Sequence, residues 1–467
     1  MPEHLLTPIL EDGVRHTHFF HGRLLSADDL RAEQEAHRRH QQQLGRAIGG
    51  GVVSGLWPTM LDDGSGDSPP TLSVTRGLAV DLLGTTLELP RDLQLFLTRD
   101  VADDDRAGLF DDCDRLDTGL LGVGDGLYLL VMGPASGYQE RAPKSGLGET
   151  SIAGCGSRYA VEGVRFRLAR IDVASLSGVS ESTRDELTDE LLGATLDDLD
   201  RLSRLRNVAA HLAFASESLG DLGADPFARI ATEPQQPGRS PLRQRGLVDD
   251  LRRLNLLTDC EVPLALLAWT LEGVQFLDRW SVRRRPVVTS PDSGWPTIGG
   301  SRATGEAEAR FLQFQEHLDW LLGIHPAPSS IAADDHFRYL PPAGLLPIER
   351  AAGGNVDFQT FFGSRPWRHS EYPGRPEYSG YPELMDAARL GPLLESASAY
   401  PATDLEEAEK VWLYLPAVRA VGQQEPRARA PYMVFAGPHL PPWNTARFDV
   451  ARWDYSNHAR RPAGDTT

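Results

Sequence analysis

The chain has 467 residues, which as a prior corresponds to about three domains of roughly 150 residues each. Apolar residues make up 40% and charged residues 24%, a globular composition, and 47 Lys plus Arg against 66 Asp plus Glu leave a net charge of −19. That balance argues against non-specific binding to nucleic acid or to an anionic membrane, both of which reward positive charge. Cys113, Cys155 and Cys260 lie far apart and form no CxxC pair, so neither a zinc ribbon nor a disulfide framework is expected. The first residues lack a basic stretch followed by an apolar one, so no signal peptide is expected, and no run of about 18 apolar residues predicts membrane insertion.

Ser26 followed by Asp29 is a capping-box pair, and it predicts a helix to Ile48. Within that helix Leu30, His37 and Leu44 fall seven apart on one narrow stripe, and the remainder is largely Glu, Gln and Arg. Gly49, Gly50 and Gly51 end it, because three glycines cost too much backbone entropy to continue a helix. Alternation at Leu72/Val74, Leu78/Val80, Leu87/Leu89 and Leu93/Leu95/Leu97 predicts a small antiparallel sheet with one buried face. The aspartate-rich stretch from Asp100 to Asp117 reads as a solvated loop or helix start. GDGLYLLVMG (124–133) reads as a strand entered from a Gly-Asp-Gly turn, then a Gly/Ser/Pro-rich excursion over 133–157 predicts a long functional or mobile loop, then a strand runs through Val164, Phe166 and Leu168.

Leucines spaced by three and four from Leu187 to Leu205 predict helix between about 181 and 222, and Ser240-Pro241 has the pattern of a further helix start. Residues 260–288 read as two strands joined at Leu271-Glu272-Gly273, expected to return to the strands of 71–97 because no other sheet lies near them in sequence. Residues 303–323 form an amphipathic helix with Phe311, Phe314, Leu318, Leu321 and Leu322 on its apolar side. The rest mixes prolines, aromatics and short strands such as VWLYLPAV and YMVFAG. The expected fold is multi-domain α+β, with a β-rich, sandwich-like N-terminal half, a helical insertion and a mixed C-terminal domain. Its boundaries are 1–175 for a helix plus antiparallel β domain, 176–258 for the helical insertion, 259–302 for the returning strands and 303–467 for the C-terminal domain.

Signatures of catalysis and cofactor binding are missing. There is no P-loop, HExxH or calcium loop, Gly122-Val123-Gly124-Asp125-Gly126 precedes a strand where a dinucleotide turn would follow one, and Gly133 to Gly137 has the wrong spacing for a nucleophile elbow. His4, His16, His18, His21, His37 and His40 crowd the first 40 residues, but no Cys and only scattered Asp and Glu join them, none at a recognised metal-binding spacing, so His37 reads as part of the helix seam and the others as surface or interface residues. Adjacent acids such as Asp111/Asp112, Asp197/Asp198, Asp249/Asp250 and Asp334/Asp335 carry little weight in so acidic a chain. The aromatics Trp367, Tyr372, Tyr378, Tyr381, Trp443, Trp453 and Tyr455 read mainly as packing. No catalytic, cofactor-binding or metal residues are therefore assigned, and no cofactor is expected.

Several islands carry a family resemblance. Phe20-His21-Gly22-Arg23-Leu24-Leu25-Ser26-Ala27-Asp28-Asp29-Leu30 with Glu33-Gln34 resembles the opening of a family encoded in extracellular contractile injection, or phage-tail-like, clusters. The resemblance continues at Gly51 to Leu56 (with Gly55), at Gly77 to Asp81 with Gly84, at Val262 to Ala265 with Asp278 and Val282-Arg283-Arg284, and at Phe337 to Gly344. The opening is also similar, more loosely, to a type VI secretion baseplate protein whose shoulder resembles phage receptor-binding proteins. Gly22 and Gln34 fit that pattern, while Ser26-Ala27-Asp28-Asp29-Leu30 stands where the pattern has Pro-Gln-His-Phe-Gln. The resemblance implies a non-enzymatic structural subunit at a baseplate or fibre-attachment position, made in the cytoplasm and incorporated into a particle that is retained or released. Its partners would be baseplate, sheath, tube or fibre proteins and further copies of itself, with no nucleic acid and no direct membrane insertion. It implies interaction or framework roles for Phe20, Gly22, Leu24, Leu25, Asp28, Leu30, Gln34, Gly51, Gly55, Gly77, Asp81 and Gly84. The alternatives are a glycan- or peptidoglycan-acting enzyme associated with such a particle, and a cytoplasmic assembly adaptor.

Overall fold

A computed structural model describes residues 13–66, 68–97, 126–143, 155–173, 184–185, 187, 198–214, 247–270, 272–286, 301–348, 355–363, 383–398, 400–406, 411–419, 426–437 and 440. Helix α1 (Ala27–Ile48) starts as its capping residues dictate: the Asp29 N–H donates to Ser26 Oγ at 3.1 Å, and the Ser26 N–H donates back to the Asp29 carboxylate at 2.9 Å. It ends at Gly49, whose φ of +94° closes the last turn onto the Gly45 carbonyl.

Strands β1 (Gly51–Gly55), β2 (Pro58–Asp62), β3 (Thr71–Val74), β4 (Gly77–Val80), β5 (Thr86–Leu89) and β6 (Leu93–Phe96) follow. They do not form the single sheet expected from their alternation. Gly55 and Leu56 take positive φ, the chain turns there, and the strands divide into two three-stranded antiparallel sheets ordered β1-β4-β5 and β2-β3-β6.

Strands β7 (Gly126–Pro143) and β8 (Cys155–Ile171) form one long antiparallel hairpin, paired from Leu127 opposite Ile171 out to Pro143 opposite Cys155. Much of the expected 133–157 loop is therefore strand, because its glycines and alanines alternate within a continuous ladder. Its tip, 144–154, lies outside the described residues, as do Asp100 to Asp117 and the Ser240-Pro241 helix start. Helices α2 (Leu199–Ala213) and α3 (Leu247–Arg253) come next, then β9 (Val262–Thr270) and β10 (Gly273–Asp278). These two strands extend the hairpin into a sheet ordered β10-β9-β7-β8. β9 pairs with β7 and β10 with β9, and neither pairs with the strands of 71–97, against which they pack face to face.

This sheet is the middle layer of a three-layer arrangement. Leu130, Met132, Val262, Leu264 and Ala265 on one face share a core with Leu72, Val74, Leu87 and Leu89 of the small sheets. Leu127, Leu129, Val131, Leu266 and Ala268 on the other pack on Leu202, Leu205 and Val208 of α2 and Leu251 of α3. Coverage of both faces explains the unbroken apolar run of β9, since alternate residues find a core on either side.

The C-terminal unit is built on helix α4 (Ser301–Ile324). Its sheet orders β11 (Ala343–Pro347), β15 (Tyr432–Ala436), β13 (Trp412–Arg419) and β12 (Glu383–Asp386), with β14 (Pro426–Arg429) also on β13. Phe314, Leu318 and Leu321 of α4 cover one face with Leu346 and Phe435, and helix α5 (Leu390–Ala397) covers the other through Leu393 and Ala397. The fold is multi-domain α+β and β-rich. One cysteine departs from expectation: Cys260 is disulfide-bonded.

Candidate functional site

The residues before α1 are extended and fold back on its first turns through polar contacts. Thr17, buried, donates its N–H to Glu33 at 3.1 Å and its hydroxyl to the Asp29 carbonyl at 2.7 Å. The Arg23 guanidinium reaches the His18 carbonyl at 2.6 Å and forms an ion pair with Asp29. The Ser26 N–H and hydroxyl, with Arg23 behind them, hold the Asp29 carboxyl below its ordinary value. The polar groups thus point inward and the apolar ones outward. Leu24 is 94% exposed and Phe20 60%, with Phe19, Leu25 and Leu30 also exposed beside them.

Helix α1 docks on the body by a side other than its apolar stripe. Leu30, His37 and Leu44 face solvent, and the helix docks through Ala36 and Gly45. The cause is the closeness of the approach: a Cβ on Gly45 would lie 2.0 Å from the Gly84 carbonyl oxygen, a distance that admits only glycine. The seat is the β4–β5 turn, where Asp81 accepts the Thr85 N–H at 2.7 Å and the Leu82 N–H donates to the Asp259 carbonyl at 3.0 Å. Burial raises the Asp81 carboxyl above its ordinary value.

The motif residues therefore separate into two sets. Phe20, Leu24, Leu25 and Leu30 are exposed, and so are Asp28, which pairs with Arg31 at 3.0 Å, and Gln34. Gly22, at φ +85°, turns the chain between Phe20 and Leu24. Gly51, Gly55, Gly77, Asp81 and Gly84 are framework: Gly51 lies against the backbone of Arg284 and Arg285, and Gly55 and Gly77 cross each other at the β1–β4 ladder.

The later islands lie at the joints between layers, a role the sequence reading does not assign them. Asp278, fully buried, accepts from Arg206 at 3.2 Å, Gln313 at 3.0 Å and the N–H groups of Trp280 and Ser281, tying β10 to α2 and α4. Asn207 accepts from the Arg338 and Tyr339 N–H groups at 3.0 and 2.8 Å and donates to the Tyr339 carbonyl at 2.9 Å. Arg283 donates to the carbonyls of Leu56 and Gly55 and lies 3.8 Å over the Trp57 ring. The readable signal is the set of polar residues inside apolar helical stripes: Arg206 and Asn207 next to Leu205, Gln313 and His317 among Phe314 and Leu318.

One pair has the composition of a nucleophile and base. Ser203 Oγ lies 2.9 Å from His317 Nε2, but both side chains are fully buried. The Ser203 hydroxyl donates to the His336 carbonyl at 3.1 Å, so the imidazole N–H donates to Ser203 and takes no proton from it. This is a packing bond, not an activated serine.

Among the described residues no group of three His, Cys, Asp or Glu is placed to hold a metal, and His16 and His18 are exposed without converging. Asp334 and Asp335 are exposed in the short helical turn Ala333–His336. The seven aromatics from Trp367 to Tyr455 and the pair Asp111/Asp112 lie outside the described residues. No helix among the described residues is long and apolar enough to cross a membrane. No protein-family model matches the chain, and no curated protein is significantly similar to it.

Proposed function

We propose that this chain is a non-enzymatic structural subunit of a contractile, phage-tail-like injection particle, placed at the baseplate or at fibre attachment. The observation that carries the reading is the inverted patterning of residues 17–30: Thr17, Arg23, Asp29 and Glu33 bond inward while Phe19, Phe20, Leu24, Leu25 and Leu30 point out. Burying a Leu or Phe side chain stabilises by about 1.5–3 kcal/mol, so a rigid element that holds several in water forgoes a large gain unless another polypeptide covers them. The buried tethers at Asp278, Asn207 and Arg283 support the same reading, since a component that transmits force between subunits needs its layers locked together. The family resemblance supplies the particle, and these residues supply the means of attachment.

The test is co-expression with the neighbouring genes, sedimentation of particles and mass spectrometry of the pellet. The chain is expected in the pellet with sheath, tube and spike proteins. A Phe20→Ser/Leu24→Ser variant removes two interface anchors and is expected to be depleted about tenfold or more while remaining folded in the supernatant. Absence of the unmodified chain from intact particles overturns the reading.

A further inference from the structure

Beyond residue 136 the β7–β8 hairpin leaves the body of the protein. Residues 137–141 and 157–163 are all exposed, on both faces of a two-stranded ribbon. A ribbon of two strands without a core is marginal in water. Among the described residues β8 pairs only with β7, so the whole outer edge of this 17-residue strand is unpaired. Edges of that length are ordinarily shortened, kinked or covered, because they recruit other strands. On this edge Tyr159 and Val161 are exposed apolar residues, flanked by Arg158 and Glu162.

The order Arg158-Tyr159-Ala160-Val161-Glu162 is complementary to itself when reversed. A twofold axis perpendicular to a sheet relates antiparallel strands so that directly opposed residues share a face, which requires them to be an even number of positions apart. Centred on Ala160, that geometry sets Arg158 opposite Glu162 of the second copy, twice, and Tyr159 opposite Val161 of the second copy, twice. Opposite charges and aromatic–β-branched pairs are the cross-strand combinations that stabilise a sheet. Centring on Phe166 also opposes Glu162 to an arginine, Arg170, but sets Arg165 against Arg167 on both sides of the axis. Glu162 cannot meet Arg165 or Arg167, because their separations are odd. The present partners of these charges, Glu140 for Arg158 and Arg38 for Glu162, are exposed ion pairs at 3.1 Å and oppose the rearrangement little.

We propose that β8 pairs with β8 of a second copy of this chain, antiparallel about Ala160, joining two four-stranded sheets into one. This pairing uses the arm alone and stands whether or not the chain belongs to a particle.

The experiment is sedimentation-velocity analysis of the full-length chain over a concentration series. The unmodified chain is expected to dimerise. Glu162→Arg sets arginine against arginine and Arg158→Glu sets glutamate against glutamate, so each alone is expected to weaken the dimer about tenfold or more. The double variant Arg158→Glu/Glu162→Arg restores both pairs and is expected to recover dimerisation, as is an equimolar mixture of the two single variants. Because rescue is required, a variant that merely misfolds cannot mimic the expected result. A chain that stays monomeric throughout, single variants that dimerise as well as the unmodified chain, or a double variant without rescue each overturn the proposal.

Discussion

Asp278 shows what one buried carboxylate does here. Its two oxygens satisfy Arg206, Gln313 and two backbone N–H groups at a point where strand β10 meets helices α2 and α4. Removing it takes from the buried Arg206 guanidinium its nearer counter-charge, with Glu316 at 3.5 Å the one left, and strips Gln313 and two N–H groups of their acceptor, so Asp278→Ala is expected to cost about 3 kcal/mol, read from thermal or denaturant unfolding. The buried histidines give a pH signature. Burial, reinforced by Arg310 near His211 and by Arg206 near His317, pushes both imidazoles well below 6.5. The unfolded chain then binds protons that the folded chain does not. The stability associated with these groups is full above about pH 6.5 and falls as the pH drops. Melting temperatures between about pH 7 and pH 5 are expected to decline, with proton uptake on unfolding. A melting temperature unchanged over that range would contradict the neutral buried state. Glu261 acts at lower pH. Burial alone would raise it, but the Arg167 guanidinium at 2.5 and 2.7 Å and the Thr258 N–H outweigh burial and lower it, so its contribution is full above about 4.5 and is lost as the pH falls from there through its depressed folded value.

Helix α1 docks on the body through Ala36 and Gly45, and the attachment role proposed for it belongs to its opposite, exposed side. The capping box sets its first turn, and Ser26→Ala is expected to cost about 1 kcal/mol. Gly45→Ala places a methyl group against the Gly84 carbonyl and is expected to lift the C-terminal half of the helix from its seat. Faster hydrogen exchange at residues 45–52 with unchanged exchange in β9 would show this, and unchanged exchange throughout would refute it. Both ends of α1 are legible in the sequence, because Ser26, Asp29 and the glycines at 49–51 act locally. Its orientation is not. The spacing of Leu30, His37 and Leu44 marks an apolar seam without saying what meets it, whereas close approach at Gly45 and Gly84 decides the packing, and that pairing joins residues 39 positions apart. The hairpin is misread for a related reason: Gly133, Ala135 and Gly137 have loop composition, and only the ladder to residues 161–165 makes them strand. Periodicity also passes over Gln313 and His317, which are polar residues inside the apolar stripe of α4.

The whole molecule places its small sheets, its four-stranded sheet and its helices in layers, ties those layers with buried arginine and asparagine contacts, and turns an apolar N-terminal face outward. Gly84, against Gly45, seats the helix that follows that face. In the proposed role that surface is covered by another polypeptide. The most direct test replaces Leu24 with a photo-crosslinking amino acid in the full-length chain, expressed with its neighbouring genes, and irradiates sedimented particles. A crosslink from position 24 to a second particle subunit is expected, lost when the same residue is irradiated in the isolated chain. Sedimented particles that contain the chain but yield no crosslink from position 24 would contradict the proposed role.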